Sequence, residues 1–470
     1  MKPSAGDGLA QPYQDSARSW LVAVACGWCL FWIMIINRCG GLVFVSMVAE
    51  MGATREAAAW PFSLLGAVMN LSGVASGVLI KKLPLQAVSL TGSLLTATGV
   101  LLCAVFYNLI GITIFLGVVC AVGQGLVFPS NAVAINTYFK KYRASGSGIS
   151  YAGSTLVAFV FPTLIAYISD EYGVRGMFLI VGALSLNAVA GSLLVRSPEE
   201  FTDDKKERRT DSAGEAHRNA QKRCVPGENM KLMNAQNDDA SCRKASADTG
   251  GFSLRHELSF LKRPINYVIT FTGVVFTSVQ ILYNVSLADH AIGQGLAKWQ
   301  AALLFTCCGA GDIVGRLASG QLSDRKLCDR RDVMATGFAV MAASLLALIY
   351  ARSAVLLGLC TALFGLASGS LIILFSVITV EYLGLETLPM AFSFQSLVCG
   401  LVALPRPLLI GYYRDRMGSY AGMYALLASA CLLTSLIWAA ECFIYRRTVN
   451  KLQNTEEATD RSSTRVCPDE

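Results

Sequence analysis

The chain has 470 residues, of which 54% are hydrophobic and only 15% charged, against roughly a quarter charged in soluble domains. That balance excludes a string of water-soluble domains. The net charge of +7 does not point to nucleic acid, because the cations are segregated by loop and do not form one basic face.

The apolar residues fall in runs of about 20, long enough to cross a hydrocarbon core of about 30 Å as helices. Residues 1–19 are polar and read as an N-terminal tail. The first run, Trp20–Val48, is too long for the apolar stretch of a cleaved signal, so it is expected to be retained. It carries Arg38, followed by Cys39, Gly40 and Gly41, small residues that allow close backbone approach or a local bend. Trp60–Ile80, Leu85–Phe106, Leu109–Ile135, Ser147–Ile168 and Met177–Val195 complete an N-terminal six-helix bundle over 20–195. Residues 196–265 are rich in Lys, Asp, Glu, Asn and Ser, lack a hydrophobic period, and read as a disordered linker. Asn266–Ala288, Trp299–Leu322, Val333–Tyr350, Ala354–Val380, Leu388–Tyr413 and Ala421–Tyr445 form a second bundle over 266–445, and 446–470 is a C-terminal tail. The expected fold is all-α and polytopic, with twelve spans. With the N-terminus in the cytoplasm, 30 Lys and Arg fall on the inner side, 6 on the outer side and 3 inside spans. That asymmetry places both termini and the linker in the cytoplasm.

The halves repeat each other. Without a gap, Gly52–Lys82 laid over Gly295–Arg325 matches at Gly52, Ala58, Ala59, Phe62, Gly66, Ala75, Ser76 and Gly77. Later, Ile165–Gly173 and Ile410–Gly418 share Ile, Tyr, Asp and Gly at nearly the same offset. Two six-helix repeats in the same topology are one way secondary transporters are built, with the substrate site between them near the midplane.

The three intramembrane cations decide the chemistry. A charge at the bilayer centre costs on the order of 2.5–3.5 kcal/mol on insertion scales, so it marks a pathway by default. Asp312 and Arg316 lie one helical turn apart on one face of the eighth run, the acid first, which is the favourable order. The planar guanidinium of Arg316 matches a carboxylate and stays charged. A substrate carboxylate competing for Arg316 would leave Asp312 to take up a proton, coupling anion to proton. Counting about 1.5 Å per residue, Arg38 lies roughly 27 Å from the inner end of its run and Arg316 roughly 10 Å from its own. The two are therefore expected at different depths unless tilt closes the gap. Arg406 sits between Pro405 and Pro407 in the eleventh run. It either binds substrate or satisfies carbonyls that the prolines free. Glu381 and Glu386 bracket the ends of the tenth and eleventh runs and read as interfacial. His217 and His256 lie in the linker and His290 in the loop after the seventh run. No nucleophile–base or metal constellation appears, so neither an enzyme, a metal nor a cofactor is expected. The 15 cysteines lack metal-site spacing and read as free thiols.

Two motifs carry a resemblance. Gly320, Asp324 and Arg325, with Arg330 and Arg331 beyond, resemble the gating loop motif of the major facilitator superfamily; the first-half copy keeps Gly77 but has Lys81 where Asp is expected. The segment Tyr138–Gly153 resembles the helix-four-to-five motif of the monocarboxylate transporters, matching at Tyr138, Phe139, Lys141, Arg143, Gly148, Ala152 and Gly153. Tyr142, Ser145, Gly146 and Ser150 depart from it. The Asp312–Arg316 pair is similar to that family's proton and carboxylate residues, and Arg38 falls where its proton-coupled members carry lysine. The family's motif at the start of the first span survives only as Asp15–Trp20.

The resemblance implies the major facilitator fold, a plasma-membrane location and, for some members, a single-span glycoprotein chaperone. It implies transport of a small monocarboxylate with a proton, using Arg316, Arg38, Arg406 and Asp312. Arginine, unlike lysine, does not give up its proton, which keeps a second expectation open: facilitative uniport of an aromatic amino acid or another larger organic anion. A third, of another class, is a non-transporting nutrient receptor.

Overall fold

The computed structural model describes residues 15–463 except 81, 141, 196–262, 325–328 and 384–387; for some of these, Arg143 and Asp324 among them, only the backbone is described. The linker, Lys141, Arg325 and Glu386 therefore lie outside the described residues. Among the described residues twelve helices are long and apolar enough to cross a membrane: α1 (Ala17–Met51), α2 (Arg55–Gly77), α3 (Leu85–Val105), α4 (Leu109–Tyr138), α5 (Ser145–Glu171), α6 (Gly173–Leu194), α7 (Pro264–Gly293), α8 (Lys298–Ser319), α9 (Arg330–Tyr350), α10 (Ala354–Leu383), α11 (Ala391–Arg416) and α12 (Ala421–Arg447). The backbone of α8 continues as helix to Asp324, so Gly320 and Asp324 belong to its end.

Apolar side chains face both inward and outward. Phe44, Phe178, Phe338 and Trp438 are buried, whereas Ile110, Val355 and Leu436 project outward. Such an apolar shell suits lipid, which competes for no hydrogen bonds. Trp438 buries its ring because Nε1 donates to Thr272 Oγ1 at 3.0 Å, satisfying the one polar atom a tryptophan carries inside.

The repeat is written into the backbone. The only glycines with left-handed φ among the described residues are Gly52, Gly173, Gly295 and Gly418. These are the two pairs that the sequence alignment superposes. Each stands at a tight connection between consecutive helices, where a side chain would be strained. The halves meet through α1 on α7, α2 on α11 and α5 on α8. Gly41 makes the first of these contacts close: a Cβ there would lie 2.2 Å from the Asn284 carbonyl oxygen.

Several boundaries differ from the sequence expectation. α1 starts at Ala17 because Ser16 and Ser19 cap it, the Ser16 N–H donating to Ser19 Oγ. The helix break in α1 falls at Met34 and not at Cys39–Gly41; those small residues serve close packing instead. Gln124 Nε2 donates to the Ile33 carbonyl at the break, replacing a helical bond. The helix holding α12 runs on to Ser463, where a tail was expected, since its polar continuation contains neither Gly nor Pro. α7 extends to Gly293, so His290 is buried in a helix and not in a loop. An apolar-run criterion stops at the first charge, Asp289, but a paired charge does not end a helix.

Candidate functional site

Arg38 stands one turn beyond the break in α1, and Asp312 and Arg316 share a face of α8. Arg316 Nη2 lies 3.1 Å and Arg38 Nη2 3.4 Å from the same atom, Asp312 Oδ2. Thr155 of α5 donates its hydroxyl to that oxygen at 3.3 Å. Asp312 is buried; its Oδ1, and Nε and Nη1 of Arg316, find no hydrogen-bond partner among the described residues. The expectation of two arginines at different depths is thus not met. α1 is 35 residues long, about 52 Å along its axis against a core of about 30 Å, so it must tilt or project. Asp312 also lies one turn, about 6 Å, from Arg316 along α8, and long guanidinium stems bridge the remainder.

Beside this cluster is a cavity of about 290 Å³ lined from both halves, by Arg38, Asn37 and Asn70 on one side and Arg316, Gln280 and Asn284 on the other. It is the kind of site a small charged solute needs: apolar walls with a few polar groups set in them. Two fixed cations share one carboxylate there, so the cavity retains positive charge. Sequence reading found the ions. It missed Thr155 and the amides, because an uncharged polar residue in a helix carries no signal of where it points.

Arg406 is buried in α11, behind Gly66 of α2. The prolines around it break α11 between Ala403 and Arg406. Yet its guanidinium takes no freed carbonyl: Nη2 donates to Ser278 Oγ at 3.0 Å, and Nε has no partner. Among the described residues its hydrogen-bond partner is thus a hydroxyl of α7 and not a carbonyl of α11.

The Tyr138–Gly153 motif lies at the helix ends. The Tyr138 carbonyl accepts from the Asp15 N–H and from Ser19 Oγ, and Phe139 packs edge-on to Trp20. Asp15–Trp20 and the Tyr-Phe pair thus tie the start of α1 to the end of α4. Gly153 lies against Gly27, and Gly148 has open space. At the gating motif, the following Arg330 and Arg331 reach Glu381 at the end of α10, at 3.1 and 3.3 Å, and Arg331 stacks 3.6 Å from the Tyr445 ring. The one described trio that has metal-ligand spacing, Asp329, Asp332 and Cys442, is occupied by Arg446.

The opposite end of the molecule holds a latch that sequence reading missed. Asp289 of α7 accepts from Arg55 of α2 at 2.7 Å, from Arg414 at 3.1 Å and from Tyr420 at 2.8 Å. Burial and the Asp289 carboxylate push the Tyr420 phenol well up, which keeps it a donor. Asp415 accepts from the backbone N–H groups of Arg55 and Glu56, capping α2 from the other half. Its carboxylate also lies 3.7 Å from Arg55 Nη1, and Lys298 pairs with Asp170. In the repeat alignment Arg55 corresponds to Lys298 and Asp170 to Asp415, so these two pairs are related by the pseudo-twofold. Arg414 and Asp415 sit in a π-helical turn, Tyr412–Arg416, a distortion frequent where a helix must re-aim side chains. The available signal was that Arg55, Lys298 and Arg414 are three of the six cations assigned to that side.

The sequence profile of the Major Facilitator Superfamily matches residues 24–327 and 300–465. The chain is 25% identical to mouse (Mus musculus) Monocarboxylate transporter 12 over 95% of its length and 89% of that protein. It is 27% identical to rat (Rattus norvegicus) Monocarboxylate transporter 13 over 89% of each, and 25% identical to human (Homo sapiens) Monocarboxylate transporter 2 over 93% and 88%. Among solved structures, a mutant of the peptide transporter POT in complex with alafosfalin aligns with TM-score 0.61 at 16% identity, over 90% of this chain and 93% of that one. That likeness concerns the fold.

Proposed function

Because the chain belongs to the Major Facilitator Superfamily, a family of membrane transporters and not of enzymes, we propose that it carries a small monocarboxylate, lactate- or pyruvate-like, across the membrane together with a proton. The observation that carries this reading is the convergence of Arg38 and Arg316, one from each half, on the single carboxylate of Asp312. An incoming carboxylate takes the guanidinium donors that Asp312 holds. Asp312, left buried without its counter-ions, binds a proton, because an unpaired buried carboxylate is expensive. Substrate and proton are thereby loaded together, and the two halves rock about them. The names of the monocarboxylate-transporter relatives support the substrate class.

The cation asymmetry supports tails in the cytoplasm and the latched end outside. Residence in the plasma membrane fits the same reading. Uptake of labelled lactate into proteoliposomes, with and without an inward proton gradient, tests the function. Gradient-stimulated uptake that Asp312→Asn abolishes and Arg316→Gln reduces is the expected result. Gradient-driven accumulation persisting in Asp312→Asn refutes the coupling; gradient-independent flux indicates uniport, and binding without flux a receptor.

A further inference from the structure

We propose that Gln124 is a positioning residue for substrate binding: it holds the break in α1 at the angle that delivers Arg38 to the carboxylate site. This rests on the reading of Arg38 as a substrate residue. Gln124 is fully buried and grips α1 on both sides of the break at Met34. Its Nε2 donates to the Ile33 carbonyl at 3.0 Å, before the break, and to Asn37 Oδ1 at 3.2 Å, after it. Its Oε1 accepts from Asn37 Nδ2 at 3.0 Å, so the two amides pair reciprocally. Cys120 Sγ, one turn back in α4, is a weaker neighbour of Nε2 at 3.6 Å. Among the described residues no other side chain from outside α1 hydrogen-bonds to it between Ile33 and Asn37. Satisfying the freed Ile33 carbonyl takes one hydrogen bond; the two to Asn37 fix direction, and Arg38 is the next residue.

The grip has a rigid base. Gln124 stands one turn beyond the π-helical turn Phe115–Cys120 of α4, a distortion that re-aims the side chains after it. It is flanked by two glycines that bring α4 to backbone distance from its neighbours. A Cβ on Gly123 would lie 2.5 Å from the Gly92 carbonyl oxygen of α3, and one on Gly125 2.7 Å from the Met69 carbonyl oxygen of α2.

Direction matters because Arg38 makes the longer of the two contacts to Asp312 Oδ2, 3.4 Å against 3.1 Å for Arg316. The base of Arg38 lies about 6 Å beyond the break, so a change of about 10° there moves it by about 1 Å, and its guanidinium further. That is enough to take the guanidinium out of ion-pair range.

Lactate binding to the purified full-length protein is measured by titration calorimetry for the unmodified chain, Gln124→Met, Arg38→Gln and the double variant. The contact of Arg38 with a carboxylate is charge-assisted, so each single substitution is expected to weaken lactate about tenfold. The double variant should bind as Arg38→Gln does, within about twofold, because Gln124 acts only through Arg38. A general loosening of the fold would instead weaken lactate in both backgrounds. Asn37→Ala, which removes the half of the grip beside Arg38, takes the place of Gln124→Met in the same cycle if that variant fails to fold. Unaltered affinity in Gln124→Met, or additive losses in the double variant, overturns the positioning role alone. Unaltered affinity in Arg38→Gln, or no binding of lactate by the unmodified protein, overturns the reading of Arg38 on which it rests.

Discussion

The latch at Asp289 offers the sharpest test of how the two halves are held. Replacing Asp289 by Asn retains an acceptor for the Tyr420 hydroxyl but removes the charge that Arg55 and Arg414 address at 2.7 and 3.1 Å. Two charge-assisted hydrogen bonds are worth about 1.5–3 kcal/mol each when buried. Both arginines are partly solvated, with side chains 30% and 20% exposed, and Arg55 keeps Asp415. Solvent screening therefore reduces the loss to about 2 kcal/mol. That amounts to a roughly thirtyfold shift against the state closed at this end, so a closed population of about 99:1 falls to about 3:1. Spin labels carried on non-natural residues at Ala53 and Ser419, which flank the Arg55–Asp415 contact, read the change as a second, longer distance in the membrane-reconstituted protein. A distance distribution identical to that of the unmodified chain refutes the latch. Arg55→Gln supplies the complementary perturbation, and strictly additive effects of the two substitutions deny that they share an interaction.

Gly41→Ala forces a methyl to 2.2 Å from the Asn284 carbonyl, so the same labels should report opening at that end while titration shows carboxylate binding retained. The two motif glycines separate cleanly. Gly153→Ala places Cβ 2.0 Å from the Gly27 carbonyl and should lower stability by about 1–3 kcal/mol or more, read as a fall in Tm. Gly148→Ala meets nothing within 4 Å and should be neutral or raise stability by about 0.5–1 kcal/mol, since alanine favours a helix interior over glycine.

The amino-acid sequence by itself determined the solvent, the number of spans and the repeat. Burial in lipid requires long apolar helices, and a duplicated bundle keeps its tight turns at equivalent glycines, so Gly52 and Gly295 were legible as a pair before their left-handed φ was seen. It also exposed Asp312, Arg316, Arg38 and Arg406, because a charge inside an apolar run stands out against its neighbours. Only the tertiary structure decided which of these charges meet. Arg38 and Asp312 are 274 residues apart, and helix tilt with side-chain reach cancels the depth difference that counting residues gives. Thr155, the cavity amides and the Asp289 latch stayed hidden for a related reason: polarity at a helix face or end acquires its meaning from the helix packed against it. The tertiary structure likewise set Arg406 apart from the carbonyls its flanking prolines free: among the described residues its guanidinium donates to the Ser278 hydroxyl of another helix.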